Sequence, residues 1–296
     1  TELFLALVIG PLLFRESEEA DITAILKHWR IIVYLIFPVI FISTLSLGGL
    51  AHLLWLSLPL AACLAVGAAL GPTDLVAFAS LSERFSFPKR VSNILKGEGL
   101  LNDASGLVAF QVALAAWTTG TFSLGQAGSS LIFSILGGFL IGFLTAMTNR
   151  FLHTFLLSVR ATDIASELLL ELSLPLVTFF LAEEVHVSGI IAVVVAGILK
   201  ASRFKKITLL EAQVDTVTET VWHTVTFMLN GSVFVILGIE LEMIAEPILT
   251  NPIYNPLLLL VSLIALTFVL FAIRFVMIYG YYAYRTRRLK KKLNKY

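Results

Sequence analysis

The sequence predicts an all-α polytopic membrane protein, and three observations carry that prediction. The first is apolar content. Of 296 residues, 58% are hydrophobic and only 14% charged, with a mean hydropathy of +0.92, whereas a soluble domain carries about 25% charged residues. The second is run length. Several stretches approach the roughly 20 apolar residues that span a bilayer as a helix, and a β-barrel would instead alternate in short strands. The third is where the cations fall. Nine apolar segments are drawn, at 2–14, 31–50, 53–80, 93–118, 128–150, 164–183, 187–201, 221–242 and 257–284. The odd-numbered links between them, counted with the segment-edge residues Arg150 and Lys200, and the C-terminal tail hold every one of the 21 Lys and Arg residues except Lys96 and Arg274. By the positive-inside rule the odd links and the tail face the cytoplasm.

Taken in order, segment 2–14 is too short to span and lacks the basic flank of a signal peptide. With Thr1 in place of Met, it reads as the tail of a helix whose start is missing, so a fragment is expected. Segment 31–50 is an apolar run without a charged residue. Segment 53–80 holds the single cysteine, Cys63, so no disulfide forms within the chain. It also holds "GPTDLVAF". Pro72 lacks an N–H and pushes Gly71 toward an extended backbone, so the helix is expected to break at 71–73. Broken backbone at membrane depth survives only where it is buried in protein or lines a watery cavity. Asp74 and Thr73 sit at that break, where they either cap the following half-helix or contribute to an ion site.

Segment 93–118 carries "KGEGLLNDASGLVAF". Glu98 and Asn102 are one turn apart on one helix face, while Asp103 lies about 140° round from Glu98. One carboxylate is therefore free to be paired structurally while the other faces a cavity. Gly97, Gly99 and Gly106 leave room for close backbone approach. On segment 164–183, Glu167 and Glu171 are one turn apart and are expected to line a cavity or pair with Lys96. Glu183, Glu184 and His186 read as solvated residues of an outer link, and His223 and Asn230 as packing or cavity groups. Arg274 lies within segment 257–284 with apolar neighbours on both sides. It stays charged at depth and needs an acid, for which Glu98 is the candidate, with snorkelling toward the tail as the other possibility.

Among enzyme signals, no His/Cys metal cluster, phosphate loop or nucleophile elbow appears, and no cofactor or nucleic-acid partner is expected. Two membrane aspartates could in principle perform acid/base hydrolysis, but the Pro break beside Asp74 suits an ion site better.

These motifs resemble those of the monovalent cation:proton antiporters of the CPA1 group, the sodium/proton exchangers of NhaP-like type. The likeness rests on "GPTDLVAF" followed about 25 residues later by "KGEGLLNDASGLVAF", on "LLFRESEEAD", on "LNGSVFVILGIEL" and on the late Arg in "AIRFVMIY". It covers nearly the whole chain. The resemblance implies an inverted-repeat antiporter fold with a broken, crossing helix, here lacking N- and C-terminal helices. It implies exchange of a monovalent cation (Na⁺, with K⁺ or Li⁺ as alternatives) for H⁺ across the cell membrane. Asp103 would bind cation and proton in alternation, Thr73 would add an oxygen ligand, and Asp74 would be an acid beside it. Asn102 would stand where electrogenic relatives have a second Asp, making exchange electroneutral. Glu98 and Arg274 would form a structural ion pair, and the assembly would be a homodimer. Two positions depart from the family pattern: Gly99 where many relatives have Ser, and Arg15 where many have an acid. The alternative function is a channel-like cation or proton conductor, distinguished by current without counterflow.

Overall fold

The computed structural model describes residues 2–73, 85–119, 124–159, 163–201, 209–250 and 256–293. Every regular element among them is helical. A short helical piece (Glu2–Phe4) and a π turn (Leu5–Ile9) lead into α1 (Gly10–Glu18). Helix α2 (Ile22–Tyr34) runs through a second π turn (Leu35–Val39) into α3 (Ile40–Leu54). There follow α4 (Leu60–Leu70), α5 (Lys89–Thr119), α6 (Leu124–Ser158), α7 (Ile164–Glu184), α8 (Gly189–Ala201), α9 (Leu209–Thr250) and α10 (Pro256–Leu293). Both π turns sit at prolines: Pro38 lies inside the second, and Pro11 stands just past the first. A proline lacks the ladder donor and pushes away the carbonyl one turn back, and a π turn is one way a helix absorbs that insult.

Five of these helices contain stretches long and apolar enough to cross a bilayer: Ile25–Leu54, Ile132–Ser158, Ile164–Glu184, Thr216–Glu246 and Pro256–Arg287. Helix α4 is short because prolines bracket it. The apolar stretch drawn over 53–80 in fact begins inside α3, leaves the helix at Trp55, and resumes after Pro59, whose extended backbone opens α4. At the other end the helix stops at Gly71–Thr73, where Pro72 withholds its donor, but Gly71 itself keeps helical dihedrals (φ −66°, ψ −47°) and not the extended backbone expected before a proline.

The chain divides into two compact units, Thr1–Lys27 with Leu124–Glu246, and His28–Ser123 with Pro247–Tyr296. In the first, α8 is apolar all round and packs against α1, α6 and α7, with Ala192, Val193 and Ala196 fully buried. A Cβ on Gly138 would meet the Ser188 carbonyl at 2.8 Å, and one on Gly142 would press into Ala192. Helices α6 and α8 therefore run in the same direction, four residues of one matching four of the other. Helix α9 is anchored by Trp222, which is buried, stacks on Phe14 at 6.0 Å and donates from Nε1 to Glu171 Oε1 at 3.3 Å.

The acids of this unit differ from the sequence expectation. Glu171 pairs with Lys200 of α8, while Lys96 is solvent-exposed. Lys200 also lies 3.3 Å from Glu18, and Glu18 is 3.1 Å from Arg15. Glu167 meets His153 at 3.2 Å. Glu183 is not simply solvated: its Oε1 accepts from the Gly189 amide at 3.2 Å and caps the start of α8. Glu184, His186 and His223 are exposed and Asn230 is half-buried. At the start of α7, Asp163 accepts from the Ser166 amide at 2.8 Å while the Ser166 hydroxyl accepts from the Asp163 amide. The Ser166 side chain first, and then its amide, hold the Asp163 carboxyl below its ordinary pKa by favouring the charged form.

In the second unit α3 and α4 touch through small residues. A Cβ on Gly67 would stand 2.5 Å from the Thr44 carbonyl oxygen and 2.8 Å from the Gly48 nitrogen. Beside this contact Leu47, Ala51, Cys63 and Leu266 form a buried cluster, which brings α10 against α3.

Two outcomes follow from this packing. Gly67→Val forces α3 and α4 apart and lowers stability by about 1–3 kcal/mol, seen as a drop in Tm of the detergent-solubilised protein. The Asp163 cap stabilises α7 at neutral pH, and because its pKa is depressed that contribution is lost only as pH falls through the lowered value. Hydrogen exchange at the first turn of α7 should therefore rise in Asp163→Ala at neutral pH, and in the parent only in strong acid.

Candidate functional site

The site lies in the second unit, where α4 breaks. Three contributions bring groups together there. Glu98 and Asn102 share a face of α5 by helical spacing, and Gly106, one turn on, lets α5 close on Pro72. A Cβ at Gly106 would sit 3.1 Å from Pro72 Cδ and closer still to Cγ. The third contribution is from α10, which delivers Arg274.

Arg274 donates from Nη1 to Glu98 Oε1 at 3.1 Å and from Nη2 to the Gly71 carbonyl at 2.5 Å. Glu98 is 2% exposed and Asn102 0%. Thr73 Oγ1 donates to Glu98 Oε1 at 3.3 Å and accepts from Asn102 Nδ2 at 2.6 Å. The same Asn102 nitrogen stands 3.5 Å from Glu98 Oε1. One carboxylate oxygen thus gathers a guanidinium, a hydroxyl and an amide. A buried ion pair is tolerable only when hydrogen bonds satisfy its remaining capacity, and Thr73 and Asn102 do that here. The Gly71 carbonyl is one of the acceptors left open at the C-terminus of α4, where the helix dipole also favours a cation.

Every donor of the Asn102 amide points inward, but its acceptor does not share in the network. Asn102 Oδ1 is buried and has no partner among the described residues. An unpaired buried carbonyl carries a desolvation penalty of about 1–3 kcal/mol, and a cation is one way to relieve it.

Of the six residues picked from the sequence, Thr73, Glu98, Asn102 and Arg274 meet at this one place. The backbone of Asp103 belongs to α5, one residue beyond Asn102, but its side chain lies outside the described residues, as does the whole of Asp74. Sequence reasoning missed the Gly71 carbonyl. The signal was available: a Pro at 72 leaves carbonyls of the preceding turn without donors.

Comparison with known proteins fits this geometry. The family model described as sodium/hydrogen exchanger, transmembrane, matches residues 1–293. The chain belongs to the sodium/hydrogen exchanger family. A sodium, potassium, lithium and rubidium/H⁺ antiporter of Bacillus pumilus is 34% identical over 98% of this chain and 43% of its own length. Its namesake in Bacillus subtilis is 36% identical over 93% of this chain and 41% of its own length. The chain thus spans less than half the length of these two relatives. Among solved structures, the sodium proton antiporter MjNhaP1 of Methanocaldococcus jannaschii aligns with 75% of this chain and 52% of its own, at a TM-score of 0.54 and 19% identity. The fold is therefore that of this antiporter class.

Breaking the ion pair from either side tests the site. Glu98→Ala strands a buried guanidinium and should destabilise the protein by about 3–5 kcal/mol, while Glu98→Ala with Arg274→Met should be far less harmful than the sum. Arg274→Lys keeps the charge but gives up the two-pronged grip. It should retain the partnership with Glu98, lose the bond to Gly71, and melt between the parent and Glu98→Ala in a detergent thermal scan.

Proposed function

We propose that this chain forms the transmembrane part of a secondary antiporter that exchanges a monovalent cation for H⁺, one for one and without net charge movement. The observation that carries the proposal is the unsatisfied oxygen of Asn102, buried beside a helix break whose hydroxyl and carboxylate are already engaged. The sequence puts carboxylates on both sides of it, at Asp74 and Asp103. A carboxylate beside oxygen ligands holds either a proton or a metal cation, so occupancy by one excludes the other and one gradient drives the other. In this reading Asp103 is the carrier of cation or proton. Thr73 and Asn102 supply neutral oxygens, and Asp74 is an accessory acid at the break. Glu98 is spoken for by Arg274, which leaves a single carrier carboxylate and so an electroneutral cycle.

Na⁺ is the principal cation in this proposal, with K⁺ and Li⁺ also accepted. The two Bacillus relatives are named for sodium, potassium, lithium and rubidium, and Gly99 brings no hydroxyl to the site. Fewer fixed oxygens mean weaker discrimination by cavity size. The basic odd links and tail face the cytoplasm, and alternating access moves the cation between faces. A homodimer is the assembly that the family resemblance supports.

Reconstituted vesicles test the carrier. Asp103→Asn should abolish cation-driven proton movement for Na⁺, K⁺ and Li⁺ alike, with an unchanged Tm and elution profile. Undiminished exchange in that variant would overturn the assignment, and current without counterflow in the parent would make the protein a conductor.

A further inference from the structure

A cavity of about 250 Å³ opens in the first unit between α6, α7 and α8, far in sequence from the break in α4. Its walls are of two kinds. Phe143, Met147, Leu174 and Leu199 make an apolar side, and Arg150 and Lys200 supply cations. Phe143 and Met147 are 39% and 49% exposed, and Arg150, on the same face of α6, is exposed too. The mouth therefore opens on the outward, apolar flank of α6, while Leu174 and Lys200 form the floor.

The two cations stand at one level. Helices α6 and α8 run in the same direction with Gly142 against Ala192, and Arg150 and Lys200 each lie eight residues further along. Arg150 is also about 27 Å along the helix from Ile132, where the apolar stretch of α6 begins. That distance is close to the roughly 30 Å thickness of a hydrocarbon core, so Arg150 reaches headgroup depth while Phe143 and Met147 lie beneath it among the acyl chains. Lys200 is held by Glu18 and Glu171. Its Nζ is buried between these carboxylates and the Phe14 ring, 5.4 Å from the ring centre, so its charge is already matched and Arg150 is the accessible cation of the cavity. Arg150 has no ion pair among the described residues. The Asn149 amide, between them, is already committed to the Leu170 carbonyl at 3.3 Å.

We infer that this cavity binds the phosphate headgroup of an anionic phospholipid, with the exposed Arg150 on the phosphate and the Phe143–Met147 side against the first acyl carbons. Basic pockets between membrane helices are suited to such headgroups, and the apolar lower wall favours a lipid over a free anion. Nothing in the exchange mechanism uses these residues.

The test uses the intact protein in nanodiscs of phosphatidylcholine alone or mixed with phosphatidylglycerol, with native mass spectrometry to count retained lipid and a thermal scan beside it. The parent should retain one phosphatidylglycerol per chain and melt higher in the mixture. Arg150→Gln should weaken that retention about fivefold, and Ala146→Leu, which fills the cavity without changing charge, should also remove it. Both variants should melt like the parent in phosphatidylcholine alone. Equal retention by parent and both variants would overturn the inference. So would a matching stabilisation by inorganic phosphate without lipid, which would make a soluble anion the ligand.

Discussion

A single guanidinium organises the second unit. Arg274 reaches from α10 to bond the Glu98 carboxylate on α5 and the Gly71 carbonyl at the end of α4. Charge inside a membrane span is expensive, so Arg274 must be paired, and its two bonds draw three helices together. The broken backbone at Gly71–Thr73 then gains an ordered end, because its freed carbonyl has a charged donor. Thr73 is carried with it to within hydrogen-bonding range of both Glu98 and Asn102. The break is thus fixed by the same contact that neutralises the charge.

The two units treat their polar groups differently. In the first unit the charges close on one another: Lys200 with Glu18 and Glu171, His153 with Glu167, and Arg15 with Glu18. Trp222 adds its indole donor to Glu171, and Phe14 stacks on it. These pairs tie α1, α7, α8 and α9 together and act as fasteners. In the second unit the network around Glu98 is also closed, except at Asn102 Oδ1. Satisfied polar groups hold helices in place, whereas the unsatisfied one beside a backbone break is the group the proposed exchange mechanism uses. Arg150 is a third case: it belongs to neither network and faces the flank of α6.

Much of this could be read along the chain. Pro72 announces the end of α4 because proline has no N–H to offer. The i,i+4 spacing puts Glu98 and Asn102 on one face. Long apolar runs and the one-sided placement of Lys and Arg announce a helical membrane protein. Other features were not legible. Glu171 looks equally ready for Lys96 or Lys200, and only the approach of α8 to α7 selects Lys200. Glu183 reads as a surface acid until the chain turns back and presents the Gly189 amide.

The sequence by itself determined the class of the protein, the place of the break and four polar residues that meet there, because these follow from local physics: the helix period, the missing proline donor and the cost of charge in an apolar run. The tertiary structure alone decided who partners whom. Arg274 and Gly71 are 203 residues apart, and a backbone carbonyl looks the same at every position in a sequence. Which of them a guanidinium finds depends on which helices lie side by side, and that is settled by small residues such as Gly67 and Gly106 that let one backbone close on another.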